Sequence, residues 1–266
     1  MAINPNQVCF WVPDGLKKFK QVLFDRISSH INSLGGFTIR YDHRKLAELP
    51  HEVIPIVGCH PDLRPMIDDW MKVGRKFIYW DRGYARRIFA TWLPRGEDGG
   101  YYRWVVNGFQ MGKIRNEKSD RWEALKTEVR PWQKNGKHIL IAAPTFPYSH
   151  FHHTERWTDE TIDALARVTE RPIMVRGKES RRSLEKDLAG AHCIVTHGSN
   201  AANEAIILGY PAFVHNSCAA ALVGRTNLAD IDNPAYPDRQ PWLNSLAYSQ
   251  YNERELVDGT LWRLLQ

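Results

Sequence analysis

The amino-acid sequence predicts an α/β protein built from two doubly wound domains, residues 1–130 and 131–266. Short apolar runs alternate with helical patterns along most of the chain, and apolar runs without polar alternation are typical of parallel strands covered on both faces. The length of 266 residues also suits two domains of about 130 residues each. We therefore expect two parallel sheets, each flanked by helices.

The N-terminal half begins with a strand, a tight turn and a helix. Residues 9–12 form an apolar run that a Pro-Asp-Gly turn closes, and residues 16–34 then carry apolar side chains at helical spacing. Further along, strands are predicted over residues 37–41, 53–57 and 77–80, a helix over 62–73, a turn-rich loop over 92–100 and a strand or hairpin arm over 101–109.

The C-terminal half repeats the alternation with more regular spacing. A Trp-rich segment precedes its first strand, and we place the domain boundary there. Strands are predicted over residues 138–143, 172–175, 193–196 and 211–214, and helices over 158–168, 183–188, 200–208 and 253–265. The last helix is expected to pack near the junction of the two domains.

Basic residues are concentrated in the N-terminal half, which has a formal net charge of +7, whereas the C-terminal half has −1. Residues 72–130 hold 14 basic and 7 acidic residues, interleaved with aromatic side chains. These aromatic residues include Trp80, Tyr84, Trp92, Tyr101, Tyr102 and Trp104. The combination suits a polyanion such as nucleic acid, and a solvated basic face over an aromatic core is an equal alternative.

The sequence indicates a cytoplasmic protein without a secretion signal. Its N-terminus lacks a basic region followed by a long apolar stretch, and no later run approaches the roughly 18 apolar residues of a membrane span. The four cysteines are far apart in the sequence and form no C-x-x-C pair. We expect them to be reduced core residues, which disfavours a zinc knuckle or a thioredoxin-like redox site.

The most informative segment spans residues 187–214. In it an apolar strand ends at Thr196, four small or polar residues form a turn, and a helix follows. A helix start beyond the carboxyl end of a parallel strand offers free N–H groups and a positive partial charge, which suit phosphate oxygens. Gly198 would let the backbone approach a ligand closely, and Ser199 and Asn200 would cap the helix or bind the ligand.

This segment resembles the donor-binding motif of glycosyltransferases with the GT-B fold, especially capsule-polysaccharide and phage-encoded types. The similarity includes a Thr before a small polar turn, a helix with Ala and Glu, and the ending EAIILGYPAFV at residues 204–214. The preceding RPIMVRGKESRRSLEKDLAGAHCIVT, residues 171–196, is similar to the same family, and the resemblance covers roughly residues 136–262. It implies two Rossmann-like domains that face each other across a cleft, a GT-B-like fold.

By this resemblance, the C-terminal half binds a nucleotide-sugar donor, with a UDP-sugar expected, and the reaction needs no metal ion or further cofactor. The implied donor-binding residues are Thr145, Arg176, Lys178, His197, Gly198, Ser199, Asn200 and Glu204. Glu204 would accept hydrogen bonds from the ribose, and Arg176 and Lys178 would stabilise the departing nucleoside diphosphate. The alternative for these two cations is a solvated loop, and for the Pro-Thr-Phe segment at residue 145 an ordinary turn.

A transferase also needs a base that takes a proton from the acceptor hydroxyl, and the resemblance places this base in the N-terminal half. Three residues follow predicted strands there: Asp14 the first, His60 the third and Asp81 the fourth. All three are expected at the carboxyl edge of one sheet, and the sequence does not choose among them. Asp81 could instead pair with Arg82 or Arg86.

Two segments resemble metal-binding motifs, but we do not expect either of them to bind a metal ion. His150, His152 and His153, with Glu155, match no H-E-x-x-H spacing, and we expect a solvated loop there. Residues 230–232 imitate a D-x-D motif but lie in a late polar loop. The sequence contains no G-x-G-x-x-G, Walker or G-x-S-x-G motif, which disfavours dehydrogenase, P-loop and hydrolase functions.

The sequence therefore predicts a glycosyltransferase that moves a sugar from a nucleotide sugar to a hydroxyl acceptor. The basic half and the phage-type resemblance suggest a hydroxymethylated pyrimidine of bacteriophage DNA as the acceptor, modified in the host cytoplasm. Such a base would have to be flipped out of a duplex. Two alternatives stay open: a sugar-nucleotide epimerase of the same architecture and a non-catalytic nucleic-acid-binding protein.

Overall fold

The computed structural model describes residues 3–85 and 100–265 of the chain. The chain divides into two compact units: unit 1 consists of Met1–Phe109 and Tyr248–Gln266, and unit 2 of Gln110–Ala247. Each unit contains its own β-sheet, which confirms the predicted α/β class. Most of the turn-rich loop predicted over residues 92–100, including Trp92, lies outside the described residues.

Strands and helices alternate along most of the chain. The described strands are β1 (Val8–Val12), β2 (Phe37–Arg40), β3 (Ile54–Val57), β4 (Ile78–Arg82), β5 (Tyr101–Val106), β6 (His138–Ala142), β7 (Ile173–Arg176), β8 (Ala191–Thr196), β9 (Ala212–Val214) and β10 (Gln250–Asn252). The described helices are α1 (Lys18–Ser33), α2 (Arg64–Lys72), α3 (Asp120–Ala124), α4 (Phe146–His152), α5 (Trp157–Ala166), α6 (Leu184–Leu188), α7 (Asn200–Ile207), α8 (Gln240–Tyr248) and α9 (Thr260–Leu264). Every strand that an apolar run predicted is present close to its expected bounds.

Unit 1 has a six-stranded sheet in the order β10-β5-β4-β3-β1-β2. Strands β1 to β4 are parallel, as predicted, with Phe10 of β1 opposite Ile56 of β3. Strands β5 and β10 are antiparallel additions beside β4, so the sheet is mixed rather than wholly parallel. Leu23, Ile27 and Ile31 of α1 lie one turn apart and pack into the same core as Phe10.

The aromatic residues of the basic stretch are mostly core residues of unit 1. Trp80, Tyr84 and Trp104 are at most 7% exposed, and the rings of Trp80 and Trp104 lie 5.7 Å apart. Tyr101 and Tyr102 are half-buried. The described part of this stretch therefore matches the alternative interpretation, an aromatic core beneath basic side chains, rather than an open row of stacking rings.

Two basic side chains of the same stretch are engaged inside unit 1. Arg75 donates from Nη2 to the carbonyl oxygens of Pro50 and Val53 at 2.9 and 3.2 Å. Arg103 donates from Nη2 to the carboxylate of Asp81 at 2.8 Å. Since Arg75 and Arg103 are buried, part of the positive charge of this half is unavailable to a polyanion.

The C-terminal segment belongs to unit 1, whose other part ends at Phe109, whereas the sequence predicted a single boundary between residues 130 and 131. Tyr251 of β10 lies opposite Tyr102 of β5, and Trp262 of α9 packs edge-on against Trp104 at 6.3 Å. The helix predicted over residues 253–265 shortens to α9, because turns follow β10. The pairing of β10 with the distant strand β5 places this segment in unit 1. The change in composition near residue 130 gave no sign of this pairing.

Unit 2 has a four-stranded parallel sheet in the order β7-β6-β8-β9. Ile141 of β6 lies opposite Val195 of β8, which lies opposite Phe213 of β9, and helices connect successive strands as the sequence predicted. Helix α4 directly follows β6, where we expected a solvated loop. Its proline, Pro147, lies in the first turn, where a helix tolerates the missing N–H.

None of the described helices is both long and apolar enough to cross a bilayer. Cys9, Cys193 and Cys218 are buried free thiols, as predicted, whereas Cys59 is exposed. Burial raises the pKa of the Cys9 thiol to about 12, so this side chain is a neutral core group.

Candidate functional site

The carboxyl edge of the unit 2 sheet carries polar side chains from three neighbouring strands. Strands β6, β8 and β9 are adjacent and parallel, so the segments that follow them lie at one edge of the sheet. These segments are Thr145 with α4, residues 197–200, and residues 215–217. Because ligands bind at this edge in open α/β sheets, it is the candidate donor site.

Hydrogen bonds hold the turn between β8 and α7 on both sides. Thr196 is fully buried, and its Oγ1 donates to the carbonyl of Ala142 at 2.8 Å, which joins the end of β8 to the end of β6. Ser199 caps α7, because its Oγ accepts a hydrogen bond from the amide of Ala201 at 3.2 Å. The capping role predicted for Ser199 is therefore present.

The space beside Gly198 is filled by the protein itself. Gln110 donates from Nε2 to the carbonyl of Gly198 at 2.6 Å, and a Cβ atom at residue 198 would clash with the hydroxyl of Tyr148. The close approach that we predicted for a ligand is thus made by Tyr148. Within residues 3–85 and 100–265, the amides of Gly198 and Ser199 donate to no protein acceptor, so an anion could accept from them.

In the described part of the chain, the rings of Tyr148, His152, Trp157 and His215, none of them predicted as site residues, surround His197. The hydroxyl of Tyr148 lies 3.0 Å from His197 Nδ1, and the ring of His152 lies 4.2 Å from that of Tyr148. The ring of His215 stacks on that of His197 at 4.5 Å and 13°. His197, predicted as a donor-binding residue, is therefore the buried centre of a ring cluster.

The hydrogen bonds of His215 define which of its ring nitrogens can donate. Its Nδ1 accepts a hydrogen bond from the amide of Ser217 at 3.3 Å and lies 2.8 Å from the Ser217 hydroxyl. Partial burial lowers the pKa of the His215 imidazole, which favours the neutral ring. Because an amide can only donate, the proton of the neutral ring is on Nε2, where it can bind an anion.

Arg176, predicted to stabilise the leaving phosphate, is held by a buried carboxylate. Arg176 Nη1 lies 3.0 Å from Asp187 Oδ2, close enough for an ion pair, and Arg182 Nε lies 3.0 Å from Asp187 Oδ1. Asp187 is 5% exposed, and a carboxylate this buried requires paired cations. The structure thus gives Arg176 a structural role, while Lys178, the second predicted cation, is exposed.

The remaining predicted donor-binding residues lie on the expected elements. Asn200 is buried, and its Oδ1 accepts a hydrogen bond from Asn203 Nδ2 at 2.7 Å. Glu204 is half-buried one turn further along α7, and Thr145 is half-buried immediately before α4. Thr145 therefore lies at the same sheet edge as the turn, whereas Glu204 lies one turn away from that edge.

The two aspartates of the D-x-D pattern at residues 230–232 lie close to arginine side chains. Asp232 binds Arg171 Nε at 2.6 Å, and Asp230 lies 3.7 Å from Arg225. In the described ranges, no group of three His, Cys, Asp or Glu side chains is arranged to hold a metal ion.

The three candidates for the base lie at the carboxyl edge of the unit 1 sheet. Asp14 is exposed in the bend after β1, and His60 follows β3. Asp81 lies in β4, where one carboxylate oxygen binds Arg103 and the other accepts a hydrogen bond from the Arg82 amide at 2.7 Å. Both carboxylate oxygens of Asp81 are therefore already bound by the protein.

Comparison with known proteins supports the fold. The chain matches no family model, and no curated protein matches it by sequence. Among solved structures it is similar to KpsC of Thermosulfurimonas dismutans, a beta Kdo 2,7 transferase, with a TM-score of 0.54 at 10% sequence identity. The similarity covers 94% of this chain and 97% of that chain, and it agrees with a GT-B-like two-domain α/β fold.

Proposed function

We propose that this protein is a glycosyltransferase that moves a sugar from a nucleotide-sugar donor, with UDP as the expected nucleotide, to a hydroxyl acceptor. The observation that supports it most is the set of polar groups after β6, β8 and β9 at the carboxyl edge of unit 2. The structural similarity to a Kdo transferase along nearly the whole chain also favours glycosyl transfer.

The donor diphosphate would be bound by neutral hydrogen-bond donors. The amides of Gly198 and Ser199 lie at the start of α7, where the helix dipole favours negative charge, and His215 Nε2–H follows the neighbouring strand. Lys178, exposed beyond β7, would supply positive charge in addition to that of Arg176, which pairs with Asp187. Such donors stabilise the charge that develops on the departing nucleoside diphosphate, so we propose a reaction that is independent of metal ions.

A hydroxymethylated pyrimidine in DNA remains our proposed acceptor on the ground of net charge alone. The burial of Trp80, Tyr84 and Trp104 makes these three rings unavailable for stacking on a base. Transfer to duplex DNA containing 5-hydroxymethylcytosine, with unmodified duplex as the control, tests this acceptor. Affinity for either duplex that does not fall as salt is raised would argue against electrostatic DNA binding.

A thermal-shift panel of UDP-, GDP-, CMP- and dTDP-sugars tests the donor site. A nucleotide sugar that binds the folded protein must raise the melting temperature. Incubating the stabilising donor without an acceptor then identifies an epimerase, because that enzyme would convert the donor alone.

A charged residue in place of Ser199, the N-cap of α7, tests whether the donor binds at this turn. Ser199→Asp keeps a good N-cap but places a negative charge where the diphosphate would bind, and we expect it to abolish the donor-induced rise. Ser183→Asp is the matched control, because Ser183 caps α6 in the same way, accepting from the Lys186 amide. If no nucleotide sugar stabilises the wild type, or if both variants respond alike, the donor site is not at this turn.

A further inference from the structure

His60 has one ring nitrogen facing the protein and the other side of its ring facing solvent. It follows β3 and precedes a 3-10 turn, Pro61–Leu63. Its Nδ1 is buried without a hydrogen bond, although 35% of the side chain is exposed. The exposed part of the ring is therefore the side that carries Nε2.

Neighbouring side chains fix this orientation. Trp11, at the end of β1 and 3% exposed, meets the His60 ring edge-on at 5.2 Å. On the same segment, Asp62 Oδ2 lies 3.7 Å from His60 Nδ1, an ion-pair distance that is longer than a hydrogen bond. Among the described residues, the ring of His43 also lies near His60, at 6.4 Å, and Cys59 precedes it in the chain.

The Asp62 carboxylate, although 58% exposed, is a negative charge near Nδ1 and favours the tautomer that a base needs. It attracts the proton of the neutral ring to Nδ1, which leaves the lone pair on the exposed Nε2. The other two candidates lack this arrangement. Asp81 is bonded to Arg103, and Asp14 is an exposed residue in a bend without any neighbour in the described structure that would orient it.

We infer that His60 is the base that activates the acceptor hydroxyl and that Asp62 is its positioning residue; this inference rests on the proposed glycosyl transfer. In the step, the acceptor oxygen bonds to the anomeric carbon while its proton passes to His60 Nε2. The bond between the anomeric carbon and the phosphate oxygen breaks, and its electron pair leaves with the nucleoside diphosphate.

Nitrogen NMR of the full-length chain with labelled histidine tests the arrangement without any activity. The His60 signals are assigned by their loss in His60→Gln. We expect the Nδ1–H tautomer in the wild type, a shift of population towards Nε2–H in Asp62→Asn, and recovery in Asp62→Glu. The same tautomer ratio in the wild type and Asp62→Asn would overturn the role of Asp62.

Kinetics then test the base, with the donor that the thermal-shift panel identifies and with 5-hydroxymethylcytosine DNA or water as acceptor. His60→Ala should lower kcat about 10²- to 10⁴-fold, and Asp62→Asn should give a smaller loss in kcat with little change in the KM for donor. A loss in Asp14→Asn as large as that in His60→Ala would overturn the assignment of His60 as the base.

These measurements distinguish a wrong assignment of the base from a wrong proposed function. If the wild type transfers sugar and His60→Ala does so at an undiminished rate, the assignment of His60 is wrong while the proposed function stands. If the wild type neither binds nor consumes any nucleotide sugar, the proposed function is wrong and the catalytic role of His60 is wrong with it.

Discussion

The hydroxyl of Tyr148 lies 3.0 Å from His197 Nδ1 and also occupies the space that a side chain at residue 198 would need. One atom thus fixes two features of the turn, the orientation of the His197 ring and the requirement for glycine. The carbonyl of the same glycine is bound by Gln110, so the turn is constrained on two sides before any ligand is considered.

Gly198→Ala should destabilise unit 2 by pushing the Tyr148 hydroxyl away from His197. Gly198 is not among the glycines with a left-handed φ, so alanine adds no strain of that kind, and the expected cost is the lost hydrogen bond, about 0.5–1.5 kcal/mol. Denaturant titration measures it. In a Tyr148→Phe background the hydroxyl is already absent, and Gly198→Ala should then cost little; an equal cost in both backgrounds would show that Tyr148 is not the cause.

Gln110→Glu should be more harmful than its similar shape suggests. Gln110 donates to the Gly198 carbonyl from Nε2 and accepts from the Ala219 amide at 3.0 Å with Oε1. A carboxylate can keep the second contact but faces the carbonyl with a negative oxygen, and an unsatisfied buried acceptor costs about 1–3 kcal/mol. The melting temperature should therefore fall further for Gln110→Glu than for Gln110→Met, and the reverse order would contradict the donor role.

The main strands were predictable because their signal is local. Four apolar residues in a row before a turn identify β3 or β9 without knowledge of any partner. Strand β10 carries no such signal: Gln250–Asn252 is polar, and it becomes a strand because it pairs with β5. Helix α4 was missed because Pro147 and three histidines at residues 150–153 resemble a loop, although Tyr148 and His152 lie one turn apart, as residues on one helix face do.

Arg176→Ala distinguishes the predicted role of Arg176, binding the departing phosphate, from its observed ion pair with Asp187. The substitution leaves the buried carboxylate of Asp187 with Arg182 as its remaining cation, and we expect the free energy of unfolding to fall by up to about 3 kcal/mol. Arg182→Ala is the matched comparison, because Arg182 pairs with the same carboxylate but is 62% exposed, so solvent screens its contribution and the loss of stability should be smaller. If Arg176→Ala is as stable as the wild type but binds the donor more weakly, the predicted role of Arg176 at the phosphate is supported instead.

Of the candidate site, the sequence identified the turn but not the side chains around it. Ser199 was predictable as a cap because it directly precedes a helix. The ion pair of Arg176 with Asp187 depends on the path of the loop between β7 and α6, which residue types do not encode locally. His215 had a usable signal, because it directly follows a predicted strand, as His197 does.

His192 should make the stability of unit 2 depend on pH. The side chain is 5% exposed and its Nε2 lies 2.9 Å from the carbonyl of Ile231, and burial lowers the pKa of its imidazole below the ordinary value of 6.5. The unfolded chain then binds the proton more readily, so the stability that the neutral ring contributes is fully present above pH 6.5 and is lost as the pH falls.

The measurement is the melting temperature at pH about 7.5 and about 5.5. His192→Gln keeps an amide that can donate to Ile231 but cannot titrate, so its melting temperature should fall less on acidification than that of the wild type. An equal fall in both proteins would assign the pH dependence to other groups.

Because β10 and α9 follow unit 2 in the sequence while the other strands of unit 1 precede it, translation cannot complete unit 1 until all of unit 2 has been synthesised. The nascent N-terminal segment must wait on the ribosome with β5 as an unpaired edge, a known aggregation hazard. Unit 2, although second in the gene, can reach its final form first, and a fragment that stops at Phe109 should precipitate unless residues 248–265 are supplied in trans.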